Sequence, residues 1–458
     1  MKLLLFLCWV NTFPFSVPDS LPGKFLVVFT DKAHNEYALE RPAEFLSERA
    51  LQRRARQGLA LDSLDLPVSR SYVDSLRALG LRVHSTSRWL NGAAVLADSA
   101  TIEQVGELAF VDTVLRLGRF FEPAVREVKK NRSPQRREDF LGTENPYGYA
   151  HEQIAMLNGD SLHALGFRGQ GVLIAVLDGG FTRLDEMAVF DPGFFENQLL
   201  FTRDVVDGDD YVFESASHGA QVLSTMAAHF PGVMVGTAPE ASYACLKTEE
   251  VRGEYLFEEF NWVVGLELAD SLGADVINSS LGYNLFDDTT MNYTHAALDG
   301  RTAPASRGAA IAARKGLLVV SSAGNDGASP WRRIDIPADA EGILSVGAVR
   351  LNGKRAPFSS LGPTADGRIK PEVVAPGVRV VTGSPFAPRL SRASGTSVAA
   401  PLVAGLAACL WQAFPTKTNQ EILQAILRSC DQYEHPDNER GYGLPDFMKA
   451  YRLLKGKD

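Results

Sequence analysis

The chain has 458 residues, of which 45% are hydrophobic and 22% are charged. That is the balance of an ordinary globular protein, and the length allows two or three domains of about 150 residues each. The formal net charge of −9 excludes a general nucleic-acid binder, because no broad basic excess is available to neutralise phosphates.

The N-terminus predicts a secretory signal peptide over residues 1–20. Lys2 is followed by the apolar run Leu3–Val10, the usual order of a charged and a hydrophobic segment. A plain hydrophobic N-terminus is the alternative. The signal peptide implies a secreted, periplasmic or extracellular protein, and no later stretch reaches the ~20 apolar residues of a membrane span.

Residues 21–125 predict a small α+β domain. The order of its elements is β-α-β-β-α-β, which is that of a ferredoxin-like fold. Its strands are predicted at Phe25–Phe29, Leu81–Val83, Gly92–Leu96 and Val111–Leu117, and its helices at Tyr72–Leu79 and Ile102–Leu108. The charged stretch Glu40–Ala60 predicts an additional helix that has no place in this order.

Residues 126–145 predict an exposed linker that begins with a dense basic run. The six basic residues are Arg126, Lys129, Lys130, Arg132, Arg136 and Arg137. A nucleic-acid patch is the alternative, but a protease-sensitive connector is favoured because the rest of the chain is acidic.

Residues 146–458 predict a larger domain in which apolar strands alternate with helices. The predicted strands are Val172–Leu177, Ser242–Leu246, Val276–Ser279, Leu317–Ser321 and Leu344–Val349. The predicted helices are Gln221–His229, Leu256–Leu272, Ser306–Lys315, Val398–Phe414 and Gln420–Leu427. This alternation indicates an α/β fold with a mostly parallel, doubly wound sheet and helices on both faces.

Asp178 ends the first of these strands and is followed by two glycines. Active groups of a doubly wound sheet gather beyond the carboxyl ends of its strands, where a buried carboxylate can orient a histidine. An ordinary Asp-Gly turn is the alternative. A dinucleotide-binding loop is rejected, because Gly169 and Gly171 precede the strand and such a loop must follow it.

His218 opens a predicted helix of small residues. The positive end of the helix dipole is expected to lower the pKa of the imidazole, which leaves it neutral and able to act as a base. A structural or surface histidine is the alternative.

Asn325 and Ser397 each follow a glycine-containing turn. Asn325 follows the strand-like run Val319–Gly324 and can donate its side-chain amide N–H to an oxyanion, although a plain polar turn is the alternative. Ser397 follows Gly395-Thr396 at the start of an apolar helix that carries Pro401 in its predicted first turn. An acyl-transfer nucleophile is favoured there by the free N–H groups and the dipole, and a helix-capping serine is the alternative.

The segments around Asp178, His218, Asn325 and Ser397, in this order, resemble those of the subtilisin-like serine protease family. The order Asp, His, Ser differs from that of chymotrypsin-like enzymes and of α/β-hydrolases. The resemblance spans roughly residues 146–455. It also covers Val235–Pro239, Asp275–Gly282, Lys370–Gly377 and Gly441–Leu444.

The resemblance implies a role for each residue. Ser397 is the nucleophile, His218 the base, and Asp178 the group that holds the imidazole, while Asn325 binds the oxyanion together with the Ser397 N–H. The segment Ser280-Leu281-Gly282 pairs with an extended peptide substrate. Gly282, Ala323 and Gly324 line the pocket for the residue before the cut.

The chain departs from the family pattern at several positions. Gly219-Ala220-Gln221 stands where Gly-Thr-His is usual, Gly179 where Ser or Thr is common, and Val398 and Leu402 where Met and His are common. None of these changes removes a member of the triad, so activity is still expected.

No cofactor is required for this chemistry, and the resemblance leaves structural calcium unassigned. The Asp287-Asp288 pair lies in a segment, Tyr283–Arg314, that is longer than in compact subtilisins. Calcium binding is possible there, but a solvated acidic turn is favoured. Three cysteines remain after the signal peptide, so at most one disulfide can form, and their spacing does not suggest zinc.

Residues 21–125 resemble the family's propeptide, which acts as an intramolecular inhibitor and folding assistant. Maturation is therefore expected within residues 121–145, and the protein is expected to be a secreted serine endopeptidase made as a zymogen, with polypeptides as substrates. Two alternatives are a catalytically silent subtilisin-like binding protein and a serine esterase that uses the same site.

Overall fold

A computed structural model describes residues 23–121 and 135–456. The predicted signal peptide and residues 126–134 of the predicted basic linker lie outside the described residues. The domain boundaries proposed from the sequence therefore stay predictions.

The first unit is a four-stranded antiparallel sheet with helices. Its elements are β1 (Gly23–Phe29), α1 (Glu48–Arg56), α2 (Arg70–Ala78), β2 (Arg82–Ser87), β3 (Gly92–Ala97), α3 (Ser99–Gly106) and β4 (Val111–Arg119). The strand order β2-β3-β1-β4 agrees with the ferredoxin-like prediction. The extra helix α1 begins after Ser47, whose side chain caps it by accepting from the Ala50 N–H, and it packs against the second unit.

The second unit contains the remaining elements. Its helices are α4 (His151–Ala155), α5 (Gly159–Ala164), α6 (Phe194–Asn197), α7 (His218–Ala227), α8 (Leu256–Leu272), α9 (Pro304–Arg314), α10 (Thr396–Ala413), α11 (Asn419–Ser429) and α12 (Phe447–Lys455). Its strands are β5 (Leu173–Asp178), β6 (Leu199–Asp204), β7 (His229–Phe230), β8 (Met234–Val235), β9 (Ser242–Lys247), β10 (Val276–Ser279), β11 (Leu318–Ser322), β12 (Leu344–Val349), β13 (Val373–Pro376), β14 (Val380–Gly383) and β15 (Leu390–Ala393).

Seven of these strands form one parallel sheet in the order β13-β12-β11-β10-β5-β9-β6. The α/β prediction is confirmed. Successive residues of β5 point to opposite faces, so Ile174 and Val176 join one apolar core while Ala175 and Leu177 join the other. Burial on both faces explains why the central strands are recognisable as unbroken apolar runs.

Both edge strands of this sheet, β6 and β13, are absent from the strands predicted above. β6 contains Thr202, Arg203 and Asp204 and therefore lacks the continuous apolar run of a central strand. β13 has only four residues and ends at Pro376, which has no N–H to donate and so suits the end of an edge strand.

Helix α10 crosses the core beneath the sheet and packs against β10, β11 and β12. It is the one helix among the described residues that is long and apolar enough to cross a membrane, but 83% of that stretch is buried inside the protein. Its apolar composition is accounted for by this burial.

Candidate active site

Asp178 is the last residue of β5, near the middle of the sheet, and its side chain is 1% exposed. The N–H of Gly179 donates to Oδ1 at 2.8 Å. A backbone donor therefore reaches the carboxylate from the position where the family commonly has Ser or Thr. Both carboxylate oxygens also face the imidazole of His218, whose Nδ1 lies 3.0 Å from Oδ1 and 2.9 Å from Oδ2.

His218 is the first residue of α7, and its side chain is 39% exposed. The negative charge of Asp178 raises the pKa of the imidazole, although burial acts in the opposite direction. The expectation that the pKa of His218 is lowered is therefore wrong. The carboxylate lies in contact with the ring, and a full charge at that distance outweighs the partial charge of a helix end.

Ser397 is the second residue of α10, which begins at Thr396, with Gly395 as its N-cap. Pro401 therefore lies in the second turn and not in the first turn predicted from the sequence. Because Pro401 has no N–H, the carbonyl of Ser397 lacks its usual intrahelical donor. Ser280 Oγ donates to this carbonyl at 2.8 Å, which ties the predicted peptide-binding segment to the start of the helix.

Asn325 lies just beyond β11 and is held by the start of α10. Its Oδ1 accepts from the Thr396 N–H at 2.9 Å and from Thr396 Oγ1 at 3.2 Å. Both bonds use the amide oxygen, so the Nδ2 donors remain for another partner.

Gly395 leaves the space into which these groups project. A Cβ at this position would lie 2.9 Å from Ser397 Oγ and 3.7 Å from Asn325 Nδ2. A side chain there would press on the hydroxyl and fill the volume beside the amide. The space next to the hydroxyl and the amide therefore depends on glycine at residue 395.

The structure brings the five predicted substrate-binding residues to the same edge of the sheet. Ser280, Leu281 and Gly282 follow β10, while Ala323 and Gly324 follow β11. Ser280, Leu281 and Gly282 also line a recess of about 340 Å³ together with Asp178 and His218.

Within the described residues, no hydrogen bond joins Ser397 to His218. The two side chains come from the first turns of different helices, α10 and α7. Such bonds are often long in an empty site and shorten when substrate binds.

Two acidic residues at the site were missed by the sequence reasoning. Glu249 lines the recess, and burial raises its pKa to about 8. Asp335 lies against Gly282 and Gly324. Neither stands in a motif, and only the folded chain brings Asp335 next to glycines that are 53 and 11 positions away.

The Asp287-Asp288 pair makes protein contacts. Asp288 forms an ion pair with Arg116 at 2.6 Å and accepts from Thr290 Oγ1 at 2.6 Å. These contacts give no support to calcium binding, which stays untested.

A second acidic group, Asp204, Asp207 and Glu214, lies close enough together for a metal ion. However, Lys247 Nζ reaches Asp204 at 2.7 Å and supplies positive charge there. Cys245, Cys409 and Cys430 are buried free thiols.

A carboxylate–imidazole pair and a helix-N-terminal serine at one edge of a doubly wound parallel sheet define the class of serine hydrolases. Residues 169–443 match the model of the subtilase family, peptidase S8. Residues 24–136 match a second model, the peptidase S8 propeptide domain of Bacteroidota. The chain belongs to the subtilase family and is a serine endopeptidase with a propeptide domain.

Curated relatives of the chain include several subtilisins. The chain is 31% identical to subtilisin NAT of Bacillus subtilis subsp. natto over 339 residues, which is 72% of this chain and 78% of the relative. It is 32% identical to subtilisin DY of Bacillus licheniformis over 282 residues, 60% of this chain and 88% of the relative. It is also 29% identical to a thermostable alkaline protease of Halalkalibacterium halodurans over 319 residues, 69% of this chain and 74% of that protein.

Proposed function

We propose that the protein is a secreted serine endopeptidase, made as a zymogen, whose triad is Asp178, His218 and Ser397. The observation that carries the proposal is the contact of both Asp178 oxygens with His218 Nδ1, at 3.0 and 2.9 Å. This contact fixes the ring so that Nε2 is left to accept a proton. Secretion is proposed from the predicted signal peptide.

In the proposed reaction, Ser397 Oγ attacks the carbonyl carbon of the scissile bond and passes its proton to His218 Nε2. The oxygen that becomes negative is bound by Asn325 Nδ2 and by the N–H of Ser397, which has no intrahelical acceptor in the first turn of α10. His218 then protonates the leaving amine, and the acyl group stays on Ser397. Water attacks this ester with His218 again acting as base, which restores the serine.

The zymogen proposal is supported by the contacts of the N-terminal domain with α8. Glu267 on α8 accepts hydrogen bonds from the Ser87 hydroxyl at 2.5 Å, the Arg88 N–H at 2.9 Å and the Trp89 N–H at 3.0 Å. Three consecutive residues of the N-terminal domain, 87–89, therefore supply the hydrogen-bond donors that the buried Glu267 carboxylate needs.

The end of the N-terminal domain also reaches the recess beside His218. The ring of Phe121 lies 6.1 Å from that of Tyr255 and contacts Gly253, which lines the recess. Phe121, the last described residue of the N-terminal domain, therefore lies beside the proposed substrate cleft. This placement supports inhibition by the attached propeptide and a cut within residues 121–145.

The proposal is tested by labelling the purified mature protein with a fluorophosphonate and assaying casein beside a simple ester. We expect a label on Ser397, none on Ser397→Ala, and hydrolysis of casein. A folded protein that takes no label would favour the silent binding protein. A labelled protein that cleaves only the ester would favour the esterase.

A further inference from the structure

Asp335 lies between the two segments proposed to line the pocket for the residue before the cut. A Cβ on Gly282 would lie 2.8 Å from Asp335 Cβ and 3.2 Å from its Oδ2, and a Cβ on Gly324 would collide with the same Oδ2. The Asp335 N–H donates to the Ala323 carbonyl at 3.1 Å. The backbone bond and the two glycines therefore place this carboxylate against both walls of the pocket.

This carboxylate is buried without a counter-ion. Asp335 is only 7% exposed, and among residues 23–121 and 135–456 no lysine, arginine or histidine forms an ion pair with it or with Asp326. Asn284 Nδ2 donates to Asp335 Oδ1 at 2.7 Å and to Asp326 Oδ2 at 3.1 Å, so the two acids share one neutral amide. Burial and the neighbouring Asp326 raise the pKa of Asp335 well above its ordinary value, and a cation beside this carboxyl group would favour its ionised form.

We propose that Asp335 makes this enzyme selective for lysine or arginine immediately before the cut. The aliphatic part of either side chain can pass between the glycine walls, and its charged end supplies the missing counter-ion through charge-assisted hydrogen bonds. Aromatic side chains gain nothing from the carboxylate, and acidic ones are repelled. The inference rests on the proposed function, which assigns Gly282, Ala323 and Gly324 to this pocket.

The basic linker contains matching substrate sites. All six basic residues of the linker fall within the stretch where maturation is proposed: Arg126, Lys129, Lys130, Arg132, Arg136 and Arg137. The same preference therefore predicts that the chain cuts itself after one of these six residues, and N-terminal sequencing of the mature protein identifies that bond.

The test compares peptide substrates that differ only in the residue before the cut, which is Arg, Lys, Gln, Phe or Glu. We expect the mature enzyme to cleave the Arg and Lys peptides with the highest kcat/KM. In Asp335→Asn, kcat/KM for Arg should fall by roughly 10–100-fold, mainly through KM, because one charge-assisted contact is lost. In the same variant, kcat/KM for the Phe peptide should stay within about threefold of the wild-type value, since the Phe side chain does not interact with the charge.

Asp339→Asn is the matched control. Asp339 is also buried, lies four positions further on, and bonds to Ser306 Oγ at 2.5 Å and to the Gly300 N–H at 2.7 Å. The Asp339→Asn substitution should change kcat/KM for the Arg and Phe peptides by the same factor. Benzamidinium and neutral benzamide test the same charge in the unaltered enzyme, where the cation should be the stronger competitive inhibitor by at least about tenfold.

A wild-type preference for Phe, Gln or Glu over Arg, or an equal loss of Arg and Phe cleavage in Asp335→Asn, would overturn the inference. In either case the enzyme still takes the fluorophosphonate label on Ser397, so the proposed function survives. A protein that takes no label and cleaves none of the five peptides would instead refute the proposed function.

Discussion

At the scale of single residues, the contact between Asp178 and His218 determines how the reaction depends on pH. The carboxylate raises the pKa of His218 above its ordinary value of 6.5, and the proposed base works only when neutral. Activity should therefore be lost as pH falls through a value above 6.5 and gained as pH rises through it.

Asp178→Asn should move this acid limb of the kcat/KM profile to lower pH, because the charge that stabilises the imidazolium is gone. It should also lower kcat/KM by roughly 10⁴-fold, since the tautomer is no longer held. Asp160→Asn is the control, because Asp160 faces the partly exposed His151 at 3.6 Å outside the site. An unshifted acid limb in Asp178→Asn would contradict the pairing.

The residues proposed for catalysis could be found from the sequence because each stands in a local pattern. Asp178 ends an apolar strand, and His218 and Ser397 begin helices of small residues. Asp335 has no such pattern, since its surroundings come from Gly282, Gly324 and Asn284, which fold around it from other segments. The direction of the His218 pKa was also beyond local reasoning, because it depends on a carboxylate 40 positions away.

At the scale of elements, α1 anchors the N-terminal domain to the catalytic domain. The buried Asp270 on α8 forms ion pairs with Arg53 and Arg54 of α1 and with Arg88, the residue that follows β2. Arg54 also pairs with Asp65 at 2.8 Å, and Lys315 of the catalytic domain reaches Asp65 at 2.7 Å. The charged stretch that the sequence left unplaced is therefore an interdomain contact.

Arg54→Ala should weaken this anchor, because it removes one partner from two buried carboxylates. The expected cost is about 3 kcal/mol, seen as a lower Tm of the full-length Ser397→Ala chain carrying the substitution. In the active background, activity should appear after a shorter lag. Arg77→Ala is the control, since Arg77 makes only an exposed pair with Asp74. Equal lag times for the two variants would argue against the anchor.

Helix α10 shows why the start of an element is harder to predict than its existence. The apolar run predicted the helix, but its first residue is Thr396, two positions earlier than expected. The Thr396 N–H is satisfied by the Oδ1 atom of Asn325, which lies 71 positions earlier in the chain, just after β11. Such a cap is a tertiary contact and leaves no mark in the neighbouring sequence.

At the scale of the whole molecule, the chain combines an endopeptidase with a propeptide domain that packs against it. The N-terminal domain rests on α8 through Glu267, and Phe121, two residues after the end of β4, contacts Gly253 beside the recess. The parallel sheet, its central strands and the ferredoxin-like order could all be predicted from apolar periodicity. The docking of the two units could not, because its ion pairs join residues more than 170 positions apart.

The most direct test of the central claim is the maturation of the purified full-length chain, followed by gel and N-terminal sequencing. The wild-type chain should shed its N-terminal domain through a cut within residues 121–145, and Ser397→Ala should remain full length under the same conditions. If Ser397→Ala matures equally fast with no other protease present, Ser397 is not the nucleophile and the proposed triad is wrong.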